Sequence, residues 1–102
     1  MTGGAARPLP PKERLILELL VESGPMFGLQ LVDRSDGAIK RGTVYVTLGR
    51  MEAKGLVSSE QELPPPGAIG LPRRLYRPTP LGERMLRAWT MFTNHLAWES
   101  RS

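Results

Sequence analysis

Cysteine is absent from the chain, and histidine occurs once, at His95. Without cysteine there is no disulfide staple and no thiolate metal site, which fits a reducing compartment. With one histidine, set in the tail, the chain lacks the usual acid–base residue of a catalytic site. Ser58, Ser59 and Glu60 stand beside no base in sequence, and neither a glycine-rich phosphate loop nor a metal-ligand spacing occurs. The chain therefore reads as no enzyme, with no cofactor and no metal. Long apolar runs are missing too: none approaches the roughly 20 residues of a membrane span, so no membrane partner is expected. The opening MTGGAARPLPP lacks the apolar core of a secretory signal. It reads as a flexible arm over residues 1–10 of a cytoplasmic protein, with Arg7 solvated or in contact with a polyanion.

What is present suits one small domain. The chain has 102 residues, 40% hydrophobic and 24% charged, as in an ordinary globular protein. Its net charge of +4 is unevenly placed. Residues 40–77 carry seven Lys/Arg against three Asp/Glu, and the two flanking segments nearly cancel. Positive charge gathered in one segment is the footprint of a polyanion binder.

That segment opens with KRGTVYVTLGRMEAKGL, residues 40–56. At about 100° per residue, Val44, Leu48 and Met51 share one stripe, with Tyr45 on its shoulder. Thr43, Val46, Thr47, Arg50 and Lys54 fall opposite. One face packs on a core. The other offers hydroxyls, cations and methyl groups, which fits the major groove of DNA. Lys40 and Arg41 precede the helix, and Gly49 on its flank permits close approach of a phosphate backbone. Gly55 is placed to end the helix in the left-handed conformation. The plain alternative is an amphipathic helix with a solvated charged face.

The rest of the chain frames this helix. Pro11 to Ser23 reads as a first helix whose apolar residues, Leu15, Ile16, Leu17, Leu19, Leu20 and Val21, cover more than the 100° or so that a surface helix buries. The surplus calls for a second partner. Gly24-Pro25 ends it. Met26 to Ser35 reads as a short second helix and Asp36-Gly37 as a turn, giving a helix-turn-helix. Val57 to Glu62 and Arg73 to Arg77 read as two strands around the loop LPPPGAIGLP, a wing with Arg73, Arg74 and Arg77 on its return strand. The alternative is a surface hairpin with solvated arginines. Thr79 then caps a last helix with Pro80 at its first position. Leu81, Met85, Trp89, Phe92 and Leu96 form one long stripe, more than a small domain covers, so a symmetric homodimer through this stripe and Leu15 and Leu19 is expected. The fold class is mainly α with a small two-stranded wing: a winged helix-turn-helix over residues 11–78 and a C-terminal dimerisation helix over residues 79–102.

Three blocks, Gly24 to Gly28, GTVYVTLGRMEAKGLV from Gly42 to Val57, and PRRLYRPTPLG from Pro72 to Gly82, resemble the PadR family of transcriptional regulators in order and spacing. The resemblance covers Arg14 to Leu86 and is to the compact subfamily with a single helix after the wing. It implies a winged-helix dimer, prokaryotic and nucleoid-associated, that binds a pseudo-palindromic double-stranded operator and usually represses. It also implies that the last helix pairs with the partner's first helix. By position, Tyr45 is the family's recognition-helix tyrosine, beside the hydroxyl position Thr43; Arg50 and Lys54 match its basic positions, and Arg74, Tyr76 and Arg77 its wing. The long loop with three consecutive prolines departs from the pattern, and the tail after Trp89 matches no motif. Some compact members resemble multidrug sensors that hold flat aromatic compounds between tryptophans. That makes Trp89 either a ligand contact for a small aromatic effector or plain dimer core, with Trp98 a lesser candidate; His95 reads as a surface or interface residue. The rival reading is a winged-helix module that binds protein. Arg50, Lys54, Arg73, Arg74 and Arg77 favour DNA.

Overall fold

The structure is a computed structural model. It describes residues 9–63, Gly67 and residues 73–101, with side chains in the last helix described as far as Thr93. Its elements, in order, are α1 (Pro11–Ser23), β1 (Met26–Phe27), α2 (Gly28–Arg34), α3 (Val44–Ala53), β2 (Val57–Glu62), β3 (Arg73–Pro78) and α4 (Pro80–Arg101). Three helices and an antiparallel sheet of order β1-β3-β2 enclose one core, and α4 leaves it as a projecting arm.

α1 starts at Pro11, where a missing N–H costs no hydrogen bond, and stops at Gly24, whose φ of 87° only glycine adopts freely. Ile16, Leu17 and Leu20 point into the core. α2 and α3 are joined through Ser35, which is buried in the turn. Its Oγ accepts the Ile39 N–H at 2.9 Å and donates to the Val32 carbonyl at 2.8 Å, so two backbone groups that the turn would strand are satisfied. Val44, Leu48 and Met51 are fully buried, as the α3 periodicity requires. α3 ends in a Schellman motif: the Leu56 N–H reaches the Met51 carbonyl and the Gly55 N–H the Glu52 carbonyl, with Gly55 at φ 78°. Thr79 caps α4, accepting the Gly82 N–H at 3.0 Å while donating to the Gly55 carbonyl. Gly82 lies against the Leu56 carbonyl, where any Cβ would collide with it.

Three expectations change. The wing sheet has three strands, because Met26 and Phe27, expected in a helix, pair with Tyr76 and Leu75 of β3. Helix begins only at Gly28: the Gln30 side chain accepts the Phe27 N–H at 2.8 Å, which fixes Phe27 in an extended conformation as the cap. Leu9, expected in the flexible arm, is buried in the core cluster. Arg7 and most of the LPPPGAIGLP loop lie outside the described residues, as do the side chains of His95, Leu96 and Trp98.

Candidate nucleic-acid interface

α3 turns its outer side to solvent. Thr43, Tyr45, Val46 and Arg50 are exposed, and Thr47 is half-buried. Tyr45 and Val46 keep about half of their surface, at 52% and 55%. Thr43 Oγ1 donates to the Lys40 carbonyl at 3.4 Å and Thr47 Oγ1 to the Thr43 carbonyl at 3.2 Å, which leaves both hydroxyl oxygens free to accept. A Cβ on Gly49 would meet nothing within 4 Å, so no internal contact demands a glycine there and the flank is open.

Tyr45 is placed by its neighbour. Its ring sits over Gly28 at the start of α2, and a Cβ at that position would come 2.6 Å from Tyr45 Cε1. The glycine lets the tyrosine ring and its hydroxyl lie against the start of α2, bridging the two helices. Sequence reasoning matched Gly28 but did not assign it this task.

The cations divide into two sets. Among the described residues, Lys40, Arg41 and Arg50 have no carboxylate partner within ion-pair distance, whereas Lys54, Arg73 and Arg77 each have one. Lys40 and Arg41 lie at the entrance of α3, where the positive end of the helix dipole adds to their charge, and Arg50 lies in its last turn. On the wing, Arg73 meets Glu62 at 3.6 Å and lies over the Phe27 ring at 4.2 Å, and Arg77 meets Glu60 at 3.5 Å. These exposed pairs are worth little each, so water or phosphate oxygens compete for the arginines readily.

Arg74 points to the other face. Its Nε donates to Ser59 Oγ at 3.1 Å, and Ser59 Oγ donates to Glu52 Oε2 at 2.8 Å. This relay ties the return strand of the wing to the last turn of α3. Tyr76, buried between Met26 and Ser59, stands beside it. Burial first, then the negative charge of Glu52, pushes the Tyr76 phenol above its usual range, while Arg74 opposes. The phenol thus stays protonated through the neutral range.

Lys54, read with Arg50 on the outer face, is exposed but engaged: its Nζ donates to both carboxylate oxygens of Glu13, each at 2.9 Å. Glu13, expected on the polar strip of α1, is almost wholly buried. A buried carboxylate needs a partner, and Lys54 supplies it by folding back from the end of α3. Its side chain stays half-exposed, so the pair sits at the protein surface on the lysine side.

On α4, Leu86 turns into the core, which the stripe reading overlooked. Leu81 and Phe92 are exposed, as is Met91, also not foreseen; Met85 and Trp89 are half-buried. Trp89 is engaged within its own chain: the Arg14 guanidinium lies 5.5 Å from its ring centre and Phe92 stands 6.3 Å away. Leu15 and Leu19 of α1 are half-buried against the core. Among the described residues no helix is long and apolar enough to cross a membrane, and no group of His, Asp and Glu has the size of a metal site.

The model of the transcriptional regulator PadR-like family matches residues 16–88. Transcriptional regulator Rv3488 of Mycobacterium tuberculosis is 42% identical over 57 residues, 56% of this chain and 50% of that protein, so the match spans about half of the relative's length. A PadR family transcriptional regulator from Eggerthella lenta superposes with a TM-score of 0.67 at 31% identity, over 86% of this chain and 75% of that one. PadR of Bacillus subtilis, solved in complex with operator DNA, superposes with a TM-score of 0.71 over 93% of this chain and 62% of that one; at 18% identity the likeness is one of fold. With the winged helix in place and the family match running from α1 into α4, the chain belongs to the PadR-like family of transcriptional regulators.

Proposed function

We propose that the protein binds a pseudo-palindromic double-stranded operator as a homodimer and represses transcription from it, acting in the cytoplasm on the nucleoid. The observation that carries this reading is the open face of α3. Lys40, Arg41 and Arg50 lack carboxylate partners among the described residues, beside exposed Tyr45 and Val46. Unpaired cations in the turn before a helix that fits a major groove, and on the helix itself, are suited to phosphate and base edges together. Bacillus subtilis PadR, on a like fold, was solved with operator DNA, which supports DNA as the partner. Thr43 and Thr47 add hydroxyl acceptors, and Arg73, Arg74 and Arg77 serve phosphates from the wing.

Dimerisation rests on α4. Leu81, Met91 and Phe92 expose apolar surface along a helix that projects from the core. A second copy covers this surface, with Met85, Trp89, Leu15 and Leu19 at its edge and Leu96 further along. A flat aromatic effector stacking on Trp89 relieves repression by altering how the two copies pair. The test is a footprint over the promoter of the protein's own gene, with titration across salt concentrations. A protected two-fold site whose affinity falls steeply with salt is expected. Salt-insensitive binding, or none beyond that to scrambled DNA, overturns the reading in favour of a protein-binding module.

A further inference from the structure

Glu13 and Lys54 meet at the edge of a cleft of about 160 Å³, walled by Leu9, Leu56, Leu81 and Met85. The cleft lies between the start of α1, the start of α4 and the end of α3, and its Met85 wall is one helical turn before Trp89, which does not line it. Its lining is apolar apart from this one ion pair. The two partners are unequally held: the Glu13 side chain is 6% exposed and that of Lys54 47%. The carboxylate is fixed inside and has to keep a cation, because an uncompensated buried charge is costly. The lysine is under no such constraint. Its ammonium loses little by returning to water.

We propose that this cleft is a binding site for a small primary amine carrying a one-ring or short-chain apolar body, which takes Glu13 from Lys54. A ligand ammonium has the same three donors as Nζ and satisfies both carboxylate oxygens in the same way. The apolar body fills the space between Leu9, Leu56, Leu81 and Met85. The size suits a single ring, since an apolar cavity of about 150 Å³ accommodates benzene. One cation replaces another, so the buried charge stays paired throughout.

The exchange has a consequence at the interface. Lys54 is the residue that closes α3, one turn beyond Arg50. Released from Glu13, it extends the free cations of the recognition helix by one. The amine therefore tightens DNA binding, and by linkage DNA tightens the amine. This second half rests on the proposed DNA-binding function; the first half does not.

The test uses the full chain with 2-phenylethylamine, and 2-phenylethanol as its neutral match. Calorimetry without DNA reads the site alone. Saturable binding of the amine and none of the alcohol is expected. Glu13→Gln should weaken the amine by about tenfold or more, the usual worth of a charged hydrogen bond. Lys54→Met, which leaves Glu13 without its cation, should bind the amine more tightly and regain its thermal midpoint on adding it. This arm stands even where Glu13→Gln fails to fold. Equal binding of amine and alcohol, or no binding of the amine to wild type and to Lys54→Met, overturns the site, whether because a second copy fills the cleft or because Glu13 does not yield. With DNA, the amine should raise wild-type affinity about five- to tenfold at 0.1 M salt and steepen the salt slope by about 0.9, the effect of one added phosphate contact. Lys54→Met should show neither change. Amine binding with unchanged DNA affinity overturns the coupling and leaves the site standing. Absent DNA binding, with the amine still bound, counts against the DNA-binding function alone.

Discussion

Gly28 is the seat of the Tyr45 ring: a Cβ at position 28 would lie 2.6 Å from Cε1 and 2.9 Å from the phenol oxygen. Because what collides is the far end of a half-exposed side chain, Gly28→Ala should displace the tyrosine while costing little fold stability, about 1 kcal/mol, at the low end of overpacking. The larger effect should fall on DNA. Gly28→Ala, Tyr45→Ala and the double variant should weaken operator binding to similar extents, since all three remove the same placed ring. Thermal unfolding and DNA titration of the three proteins measure this. Additive losses would show that Gly28 acts on something other than Tyr45.

Arg50 is exposed and has no carboxylate partner among the described residues. Arg50→Ala should weaken operator binding by about 1–3 kcal/mol and relax preference at one base pair, as expected of a base-edge contact. Titrating operator and scrambled duplexes side by side checks it. An equal loss on both would reassign Arg50 to phosphate.

The wing arginines should behave differently. Arg73 and Arg77 are held by weak glutamate pairs and Arg74 by Ser59, and the proposed operator binding has all three turn to phosphate. Replacing any one with alanine should lower affinity for all duplexes alike and flatten the salt slope by about 0.9. Slopes unchanged in all three variants would mean that the wing stays off the DNA.

Gly82→Ala should be a folding lesion. Its Cβ would meet the Leu56 carbonyl, and Leu17 Cδ2 stands 3.1 Å away. Backbone cannot swing aside as the Tyr45 ring can, so a loss of about 1–3 kcal/mol or more is expected in denaturant unfolding. A wild-type midpoint would mean that α4 docks less closely than described.

Truncation after Gly82 removes Met85, Trp89, Met91, Phe92 and Leu96, and with them most of the apolar surface assigned to pairing. The intact chain should scatter light as a dimer, and the truncated one as a monomer or an insoluble protein that no longer binds the operator tightly. Two recognition helices one turn of DNA apart, about 34–36 Å, require both copies. An intact monomer at micromolar concentration that binds a single half-site as tightly as the palindrome would sink the dimer.

The parts legible in the sequence are those set by local chemistry. The stripe Val44, Leu48 and Met51 follows from helical period, Gly55 from its positive φ, and Thr79-Pro80 from capping; each stands as expected. What escaped depends on distant partners. Met26 and Phe27 are too few to show alternation and become strand only through Tyr76 and Leu75. Glu13 and Lys54 lie 41 positions apart, and nothing near either one marks the pair. Lys54 was placed outward because helical geometry fixes where Cα stands, while its long side chain was free to fold back. Leu9 had the composition of an arm, and only packing buries it.

The two-residue strand β1 closes a mechanical loop. It leads directly into α2, pairs with β3, and β3 pairs with β2, which follows α3. The element that braces the recognition helix and the element that carries the wing arginines are thus cross-linked at both ends. If two copies pair through α4 as proposed, their adjustable geometry is the contact between the α4 arms. The spacing between half-sites would then be a property of the arm and the identity of each half-site a property of the head, so that grafting this head onto a different arm would keep the word and change the distance at which it is repeated.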